Sequence, residues 1–150
     1  MTIEPDDHGF ESTWESIRQS GAGGEFEFHD PGTRFSTAVS KHFKSSERTS
    51  RHGVYVVRGR TNQVVYIGKA GTVRNDGSFK NQDLPGRFKA TRGTEPGDQW
   101  FARVLTGAGP LRVEYVFLTS RPCGPALAES RLLQAFLNET GRLPEFNEAF

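Results

Sequence analysis

Cysteine, methionine and long apolar runs are scarce in this chain of 150 residues. The one cysteine, Cys123, excludes an internal disulfide and a cysteine-rich zinc site, so a reducing cytoplasm is the expected location. The longest apolar runs span four residues, whereas a membrane-spanning helix needs about 20, so we expect no membrane span. The first ten residues are acidic and lack an apolar segment, which argues against a secretory signal.

Charge is unevenly distributed, although its net value is only +1. Residues 1–40 contain 8 acidic and 2 basic side chains, residues 41–92 contain 3 acidic and 12 basic ones, and residues 93–150 contain 7 and 5. A basic middle third between acidic ends is expected of a protein that binds a polyanion such as nucleic acid. A solvated basic face is the alternative interpretation.

Hydrophobic patterning predicts an α+β fold. Residues 1–50 are predicted to form an extension with a helix near 12–20, a short strand at 26–28 and a helix within 31–50. Two β-type runs around the turn residues 59–62 predict a β-hairpin in which Tyr55 faces Tyr66 and Val57 faces Val64. A long loop over 70–86, helices near 87–91 and 100–105, a strand at 112–118 and a helix from Pro125 to Gly141 follow. The order predicts a small α/β sandwich with a central antiparallel sheet, begun by the hairpin and flanked by helices.

Several polar side chains occupy positions that suit chemistry. Glu129 shares a helix face with Leu132, Leu133 and Phe136, so its carboxylate is a candidate metal-binding or catalytic group. The alternative is a residue at the edge of the apolar face that pairs with Arg131 or another surface arginine. Tyr55 and Tyr66 precede the cations Lys69, Arg87 and Lys89, which are expected to lower the pKa of a nearby phenol below its usual value of about 10. Ordinary packing of strand tyrosines is the alternative. Arg87 could hold a phosphate in its guanidinium fork or be a plain surface arginine.

Two short motifs resemble the paired signature of the GIY-YIG nucleases. Gly53-Val54-Tyr55 and Tyr66-Ile67-Gly68 are separated by ten residues, and the resemblance extends over residues 51–148. Further residues stand where the family has its lysine, arginine, glutamate and closing asparagine: Lys69, Arg87, Glu129 and Asn147. The resemblance implies that residues 51–150 are a catalytic domain that hydrolyses phosphodiester bonds with one Mg²⁺ or Mn²⁺ ion.

The resemblance also implies a role for each of these residues. Tyr55 would be the general base that activates water, and Tyr66 would position Tyr55 or the water, or contact a phosphate. Lys69 would lower the pKa of the tyrosine, and Arg87 would stabilise the pentacovalent transition state. Glu129 would be the single protein ligand of the metal, and Asn147 would support the site by hydrogen bonding. Because Mg²⁺ keeps much of its water shell, one carboxylate suffices.

The sequence departs from the family pattern in two places. The family often has Tyr or His four residues after the arginine, where this chain has Thr91, so His42 or His52 would have to replace that side chain in space. The segment between Lys69 and Arg87 is longer than in compact members, and with the Lys-Ala pair after Gly68 it is more similar to the restriction-endonuclease branch.

The expected partner is DNA, and the first hypothesis is a restriction-type enzyme for double-stranded DNA. Base or phosphate contacts are predicted for polar side chains in and after the long loop: Arg74, Lys80, Asn81, Gln82, Lys89 and Arg92. Two chains joined as a homodimer by residues 1–50 would cut both strands of a palindromic site. The alternatives are a structure-specific or single-strand-specific nuclease with the same mechanism, or a binding module without catalysis.

Overall fold

The computed structural model describes residues 9–44 and 50–149, which form a four-stranded antiparallel sheet with helices on both faces. In chain order the elements are α1 (Phe10–Arg18), β1 (Gly23–Phe28), α2 (Phe35–Phe43), β2 (Gly53–Arg58), β3 (Val64–Ala70), β4 (Thr72–Val73), β5 (Phe79–Lys80), α3 (Leu84–Lys89), α4 (Gly97–Ala108), β6 (Leu111–Phe117) and α5 (Pro125–Thr140). The sheet order is β1-β6-β2-β3, and β4 pairs with β5 in a separate two-stranded hairpin. The predicted α+β sandwich is confirmed, although β1 precedes the β2–β3 hairpin. None of the described helices is long and apolar enough to cross a bilayer.

Strand β2 shows how the sheet contributes to a core on each face. Its side chains alternate, so that Tyr55 and Val57 pack with α2, α3 and α4, whereas Val54 and Val56 pack with α1 and α5. All six residues of β2 are buried, because β2 lies between β3 and β6 and both faces carry helices. Burial of large apolar side chains on both faces, at roughly 1.5–3 kcal/mol each, holds the helices on the sheet.

Residues 9–44 belong to the same core as residues 50–149. Strand β1 pairs with β6 along its whole length, Phe35 of α2 stacks on Phe101 of α4 at 3.6 Å between ring centroids, and α1 packs against α5. The predicted helices and strand of this segment are present, but α1 begins two residues before the predicted start because Glu139 accepts a hydrogen bond from the Phe10 amide. A boundary at residue 50 therefore does not separate two cores in the described residues.

The β2–β3 hairpin is present, but its predicted register is wrong by two residues. Val57 pairs with Tyr66 and Tyr55 pairs with Gly68, because the strands shift at a bulge between Val57 and Arg58. A shift of two residues preserves the side-chain alternation, so the prediction that Tyr55 and Tyr66 share a face is confirmed.

Residues 70–86 differ from the loop that the sequence predicts. They contain the β4–β5 hairpin, whose two-residue strands are too short to give a periodic pattern, and α3 begins at Leu84. Asp83 caps that helix by accepting a hydrogen bond from the Gly86 amide at 3.0 Å. Arg87 consequently lies in the last turn of α3 and does not open it, and Thr91 lies beyond its end.

Candidate active site at the edge of the sheet

Tyr55 and Tyr66 lie next to each other on the face of the sheet that α3 and α4 cover. Their ring centroids are 5.9 Å apart. A Cβ atom on Gly68 would lie 2.5 Å from the Tyr55 hydroxyl oxygen, so the glycine of the second motif makes room for the tyrosine of the first. Tyr55 is 0% exposed, whereas Tyr66 is partly exposed. Only the second phenol therefore reaches an open surface.

Arg92 joins the two phenols. Its Nη2 donates a hydrogen bond to the Tyr55 hydroxyl at 2.9 Å, and its Nη1 donates one to the Tyr66 hydroxyl at 3.1 Å. The guanidinium carbon lies 4.4 Å from the ring centroid of Trp100. Among the described residues, no carboxylate lies within 4 Å of this guanidinium, and its buried Nε has no hydrogen-bond acceptor. The sequence predicts Arg92 only as a DNA contact, but the structure makes it the centre of a phenol–guanidinium–phenol cluster.

The pKa of Tyr55 differs from the sequence expectation in direction. Burial raises the pKa of this phenol well above its usual value, and the positive charges of Arg92 and Arg87 lower it by less. The expectation of a lowered pKa is wrong for Tyr55, because removal from water opposes the phenolate more strongly than the neighbouring cations favour it.

Four of the six predicted catalytic residues line one open cavity of about 520 Å³. Tyr66 and Lys69 come from β3, Arg87 comes from α3 and Glu129 comes from α5. Because β3 is the edge strand of the sheet, helices that cover opposite faces can both reach this cavity. The side chains of Lys69, Arg87 and Glu129 form no hydrogen bond or salt bridge within residues 9–44 and 50–149, so their charged groups are available to a ligand.

A second cavity, of about 550 Å³, adjoins the first and shares Tyr66, Arg87 and Glu129 with it. Arg92 and Trp100 also line this second cavity. The two cavities together form a groove along the edge of β3.

Glu129 lies on the wall that both cavities share. It is half-buried in α5, and burial raises the pKa of its carboxyl group, an effect that the positive charges of Lys69 and Arg87 only partly oppose. The alternative salt bridge to Arg131 is not formed. A half-buried carboxylate with no hydrogen bond or salt bridge of its own, beside an open cavity, is suited to a cation. No group of three or more His, Cys, Asp or Glu side chains that could hold a metal occurs among the described residues.

Asn147 supports the edge of β3. Its Oδ1 accepts a hydrogen bond from the Ile67 amide, and its Nδ2 donates one to the Ile67 carbonyl, both at 2.9 Å. The side-chain amide thus pairs with β3 as a neighbouring strand would, at the residue between Tyr66 and Gly68. The predicted supporting role agrees with this geometry.

Within residues 9–44 and 50–149, no histidine takes the place of the side chain that the family often has at position 91. Thr91 is exposed, His42 contacts the Tyr115 hydroxyl at 2.7 Å, and His52 stacks on Phe79. Neither histidine lines the two cavities. The neighbouring residue Arg92 reaches the phenols instead, and the sequence gives no signal for this beyond a cation shortly after α3.

The other predicted DNA contacts differ in their positions relative to the first cavity. Asn81 and Gln82 line it, and Arg74 and Lys80 are exposed on the β4–β5 hairpin. Lys89 is exposed too, but its Nζ donates a hydrogen bond to the Ser40 hydroxyl of α2 at 2.6 Å. Its ammonium group is therefore partly engaged within the protein.

Comparisons of the chain with models of known protein families, with curated proteins and with solved structures give no match. The similarity to the GIY-YIG nucleases therefore rests on the motif residues themselves. Those residues come from separate stretches of sequence, and four of them line the same cavity.

Proposed function

We propose that this chain is a metal-dependent endonuclease of the GIY-YIG type, which hydrolyses phosphodiester bonds in DNA. The observation that carries the proposal is the cavity lined by Tyr66, Lys69, Arg87 and Glu129. A phenol, two cations and one carboxylate are the groups needed to bind a phosphodiester, move a proton and hold a divalent ion. Restriction-type cleavage of double-stranded DNA in the cytoplasm, by a homodimer where both strands are cut, belongs to the same proposal.

Glu129 fits a single Mg²⁺ or Mn²⁺ ion. Its carboxylate has no protein partner among the described residues, and the cavity beside it has room for the water ligands that Mg²⁺ retains. A bound divalent ion supplies charge stabilisation for the leaving oxygen of a phosphodiester. A closed zinc site does not fit, since it needs four protein ligands and the described residues offer no such cluster.

The cations around the cavity would bind and orient the phosphate. The Arg87 fork can hold two non-bridging oxygens, and Lys69 of β3 adds a second positive charge to the same cavity. Neither side chain has to break a protein hydrogen bond or salt bridge before it contacts a phosphate. Their charge is thus already in place where negative charge develops.

Tyr66 is the phenol that we assign to the proton transfer. It lines the cavity, whereas Tyr55 is closed off from it. Arg92 donates a hydrogen bond to the Tyr66 hydroxyl and holds this phenol at the cavity, where it can exchange a proton with the attacking water. Tyr55 accepts the second Arg92 hydrogen bond and thereby holds the guanidinium in place. This assignment moves the general-base role from the first motif tyrosine to the second.

Nicking of supercoiled plasmid DNA with Mg²⁺ tests the proposal. Glu129→Gln should reduce the nicking rate at least about 100-fold, since even residues that only support a metal ligand cost 10- to 100-fold when they are changed. Glu15→Gln is the matched control, because Glu15 is an exposed glutamate of α1. Equal nicking by all three proteins would remove Glu129 from the reaction. DNA binding without nicking by the wild type would indicate the binding module instead. If the wild type neither bound nor nicked DNA, the proposal would be overturned.

A further inference from the structure

The β4–β5 hairpin has a rigid turn at its tip. The Arg74 amide donates a hydrogen bond to the Ser78 carbonyl at 2.7 Å, and Gly77 takes the left-handed conformation with φ of 87°. The Asp76 carboxylate accepts hydrogen bonds from the amide and the hydroxyl of Ser78. The turn is therefore fixed before any ligand binds, and the one acidic side chain of the hairpin is engaged within it.

The two faces of the hairpin have different surroundings. Thr72 pairs with Lys80 and Val73 pairs with Phe79, so Val73 and Phe79 share one face. That face points to the protein body: the Phe79 ring stacks on His52 at 4.5 Å between centroids, and Val73 lies next to Gly124. These contacts hold the hairpin against the rest of the protein.

The opposite face carries Thr72, Arg74, Ser78 and Lys80. Arg74 and Lys80 are exposed, and their side chains form no hydrogen bond or salt bridge within the described part of the chain. Arg74 and Lys80 carry two positive charges, against the single negative charge of Asp76 at the turn, so the net charge of the hairpin is positive. The charge is complementary to a polyanion.

The cationic face is continuous with the candidate active site. Thr72 lines the first cavity together with Asn81, Gln82, Arg87 and Glu129. The Asn81 side chain donates a hydrogen bond to the Thr72 hydroxyl at 3.1 Å, which fixes the base of the hairpin beside the cavity. A nucleic acid with a phosphate in the cavity would consequently extend onto the hairpin.

We propose that the β4–β5 hairpin inserts into the major groove of duplex DNA and that Arg74 at its turn contacts a guanine. The major groove of B-form DNA, about 12 Å wide, admits a two-stranded ribbon, whereas the minor groove, about 6 Å wide, does not. The major groove of an RNA duplex is too narrow for it. An arginine can donate two hydrogen bonds to O6 and N7 of guanine, and Lys80 at the base of the ribbon is suited to a phosphate. This inference rests on the proposed function, because it names the substrate class of the same site.

Selection of preferred sites from a random duplex library tests the inference. Wild-type protein, Arg74→Ala and the control Arg142→Ala are compared; Arg142 is exposed and lines neither site cavity. Arg74→Ala should relax the preference for guanine at one position by about 5- to 140-fold, which corresponds to 1–3 kcal/mol of discrimination. Arg142→Ala should keep the wild-type preference. An unchanged preference in Arg74→Ala, or no sequence preference in the wild type, would overturn the inference.

Base analogues in the selected site identify the groove. Replacement of guanine by 7-deazaguanine removes the N7 acceptor from the major groove, and replacement by inosine removes the amino group from the minor groove. The first change should weaken binding by the wild type and leave Arg74→Ala unaffected, and the second should affect neither protein. Sensitivity to inosine alone, or equal affinity for an RNA duplex of the same sequence, would contradict major-groove insertion.

Binding and cleavage are measured separately, so that the two proposals can fail separately. Bound duplexes are selected without added metal, and cleaved duplexes are selected with Mg²⁺. If Arg74→Ala loses the guanine preference that the wild type shows among bound duplexes, but the wild type cleaves no DNA, the result supports the hairpin inference and overturns the nuclease proposal. If cleavage requires Glu129 but its site preference is unchanged in Arg74→Ala, the result supports the nuclease proposal and overturns the hairpin inference.

Discussion

The hydrogen bond from Arg92 to Tyr55 lies in the protein interior, and a double-mutant cycle can measure its contribution to stability. Tyr55 is 0% exposed and its hydroxyl lies 2.9 Å from the Arg92 Nη2. Tyr55→Phe removes the acceptor and leaves a charged donor without its partner, at a cost of about 1.5–3 kcal/mol. Arg92→Met leaves a buried hydroxyl without a donor, at a cost of about 1–3 kcal/mol.

The double variant is expected to cost less than the sum of the two single variants. Neither unpaired group remains when both partners are absent, so the coupling free energy should be about 1.5–3 kcal/mol. Arg92→Met also loses the contact with Trp100, about 0.5–2 kcal/mol, but this loss occurs in the single and the double variant and cancels in the cycle. Arg92→Met also removes the cost of burying a guanidinium, and this gain cancels in the cycle in the same way.

Urea unfolding of the four proteins gives the coupling directly. The same cycle with Tyr66→Phe should give a smaller value, under about 1.5 kcal/mol, because Tyr66 is partly exposed and water can replace its hydroxyl. Additivity within about 0.5 kcal/mol for Tyr55 would refute the buried hydrogen bond. A larger coupling for Tyr66 than for Tyr55 would refute the reasoning from burial.

Four further outcomes follow from the site. Glu129→Gln should stabilise the protein at neutral pH. Burial raises the pKa of the Glu129 carboxyl group in the folded state, so the stability of the wild type falls as pH rises above the unfolded-state pKa. Thermal unfolding should show that the difference in stability between the variant and the wild type disappears in acid. Tyr66→Phe should lower the single-turnover cleavage rate at least about 100-fold and Tyr55→Phe less, whereas equal losses would contradict the assigned roles. Asn147→Ala should lower the free energy of unfolding by about 1–3 kcal/mol through two lost hydrogen bonds to Ile67, so unchanged urea unfolding would contradict that support. The logarithm of DNA affinity should fall linearly with the logarithm of salt concentration. An affinity independent of salt would show that the basic residues within 41–92 do not contact phosphates.

The shared face of Tyr55 and Tyr66 could be predicted from the sequence, whereas their pairing could not. Side-chain alternation in a strand survives a register shift by two residues, so the two-residue error leaves the shared face unchanged, whereas a shift by one residue would separate the two side chains. The pairing depends on a bulge next to Arg58, and no residue pattern in the β2–β3 hairpin marks that bulge. The sequence could likewise place Glu129 on an apolar helix face, because helical periodicity is a local property.

Interactions between distant segments escaped prediction because no local pattern encodes them. The segment around Arg92 has no helical or strand periodicity. Its guanidinium contacts the two phenols because α3 and α4 pack on the sheet. The burial of Tyr55 depends in the same way on Phe88 from α3, which packs edge-on against its ring at 4.7 Å. The sequence shows the cations near the phenols, but burial decides the direction of the pKa shift.

The edge of β3 is closed along one half and open along the other, and this division explains the position of the candidate site. An unprotected sheet edge can pair with a strand of another chain, so proteins usually cover it. The Phe146 amide donates a hydrogen bond to the Val65 carbonyl at 3.0 Å, and the Asn147 side chain satisfies both backbone groups of Ile67. From Lys69 onward the strand lines the cavity instead. Asn147, 80 residues from Ile67 in sequence, thus stabilises the strand beside Tyr66 while the half that faces Glu129 stays accessible to a phosphodiester.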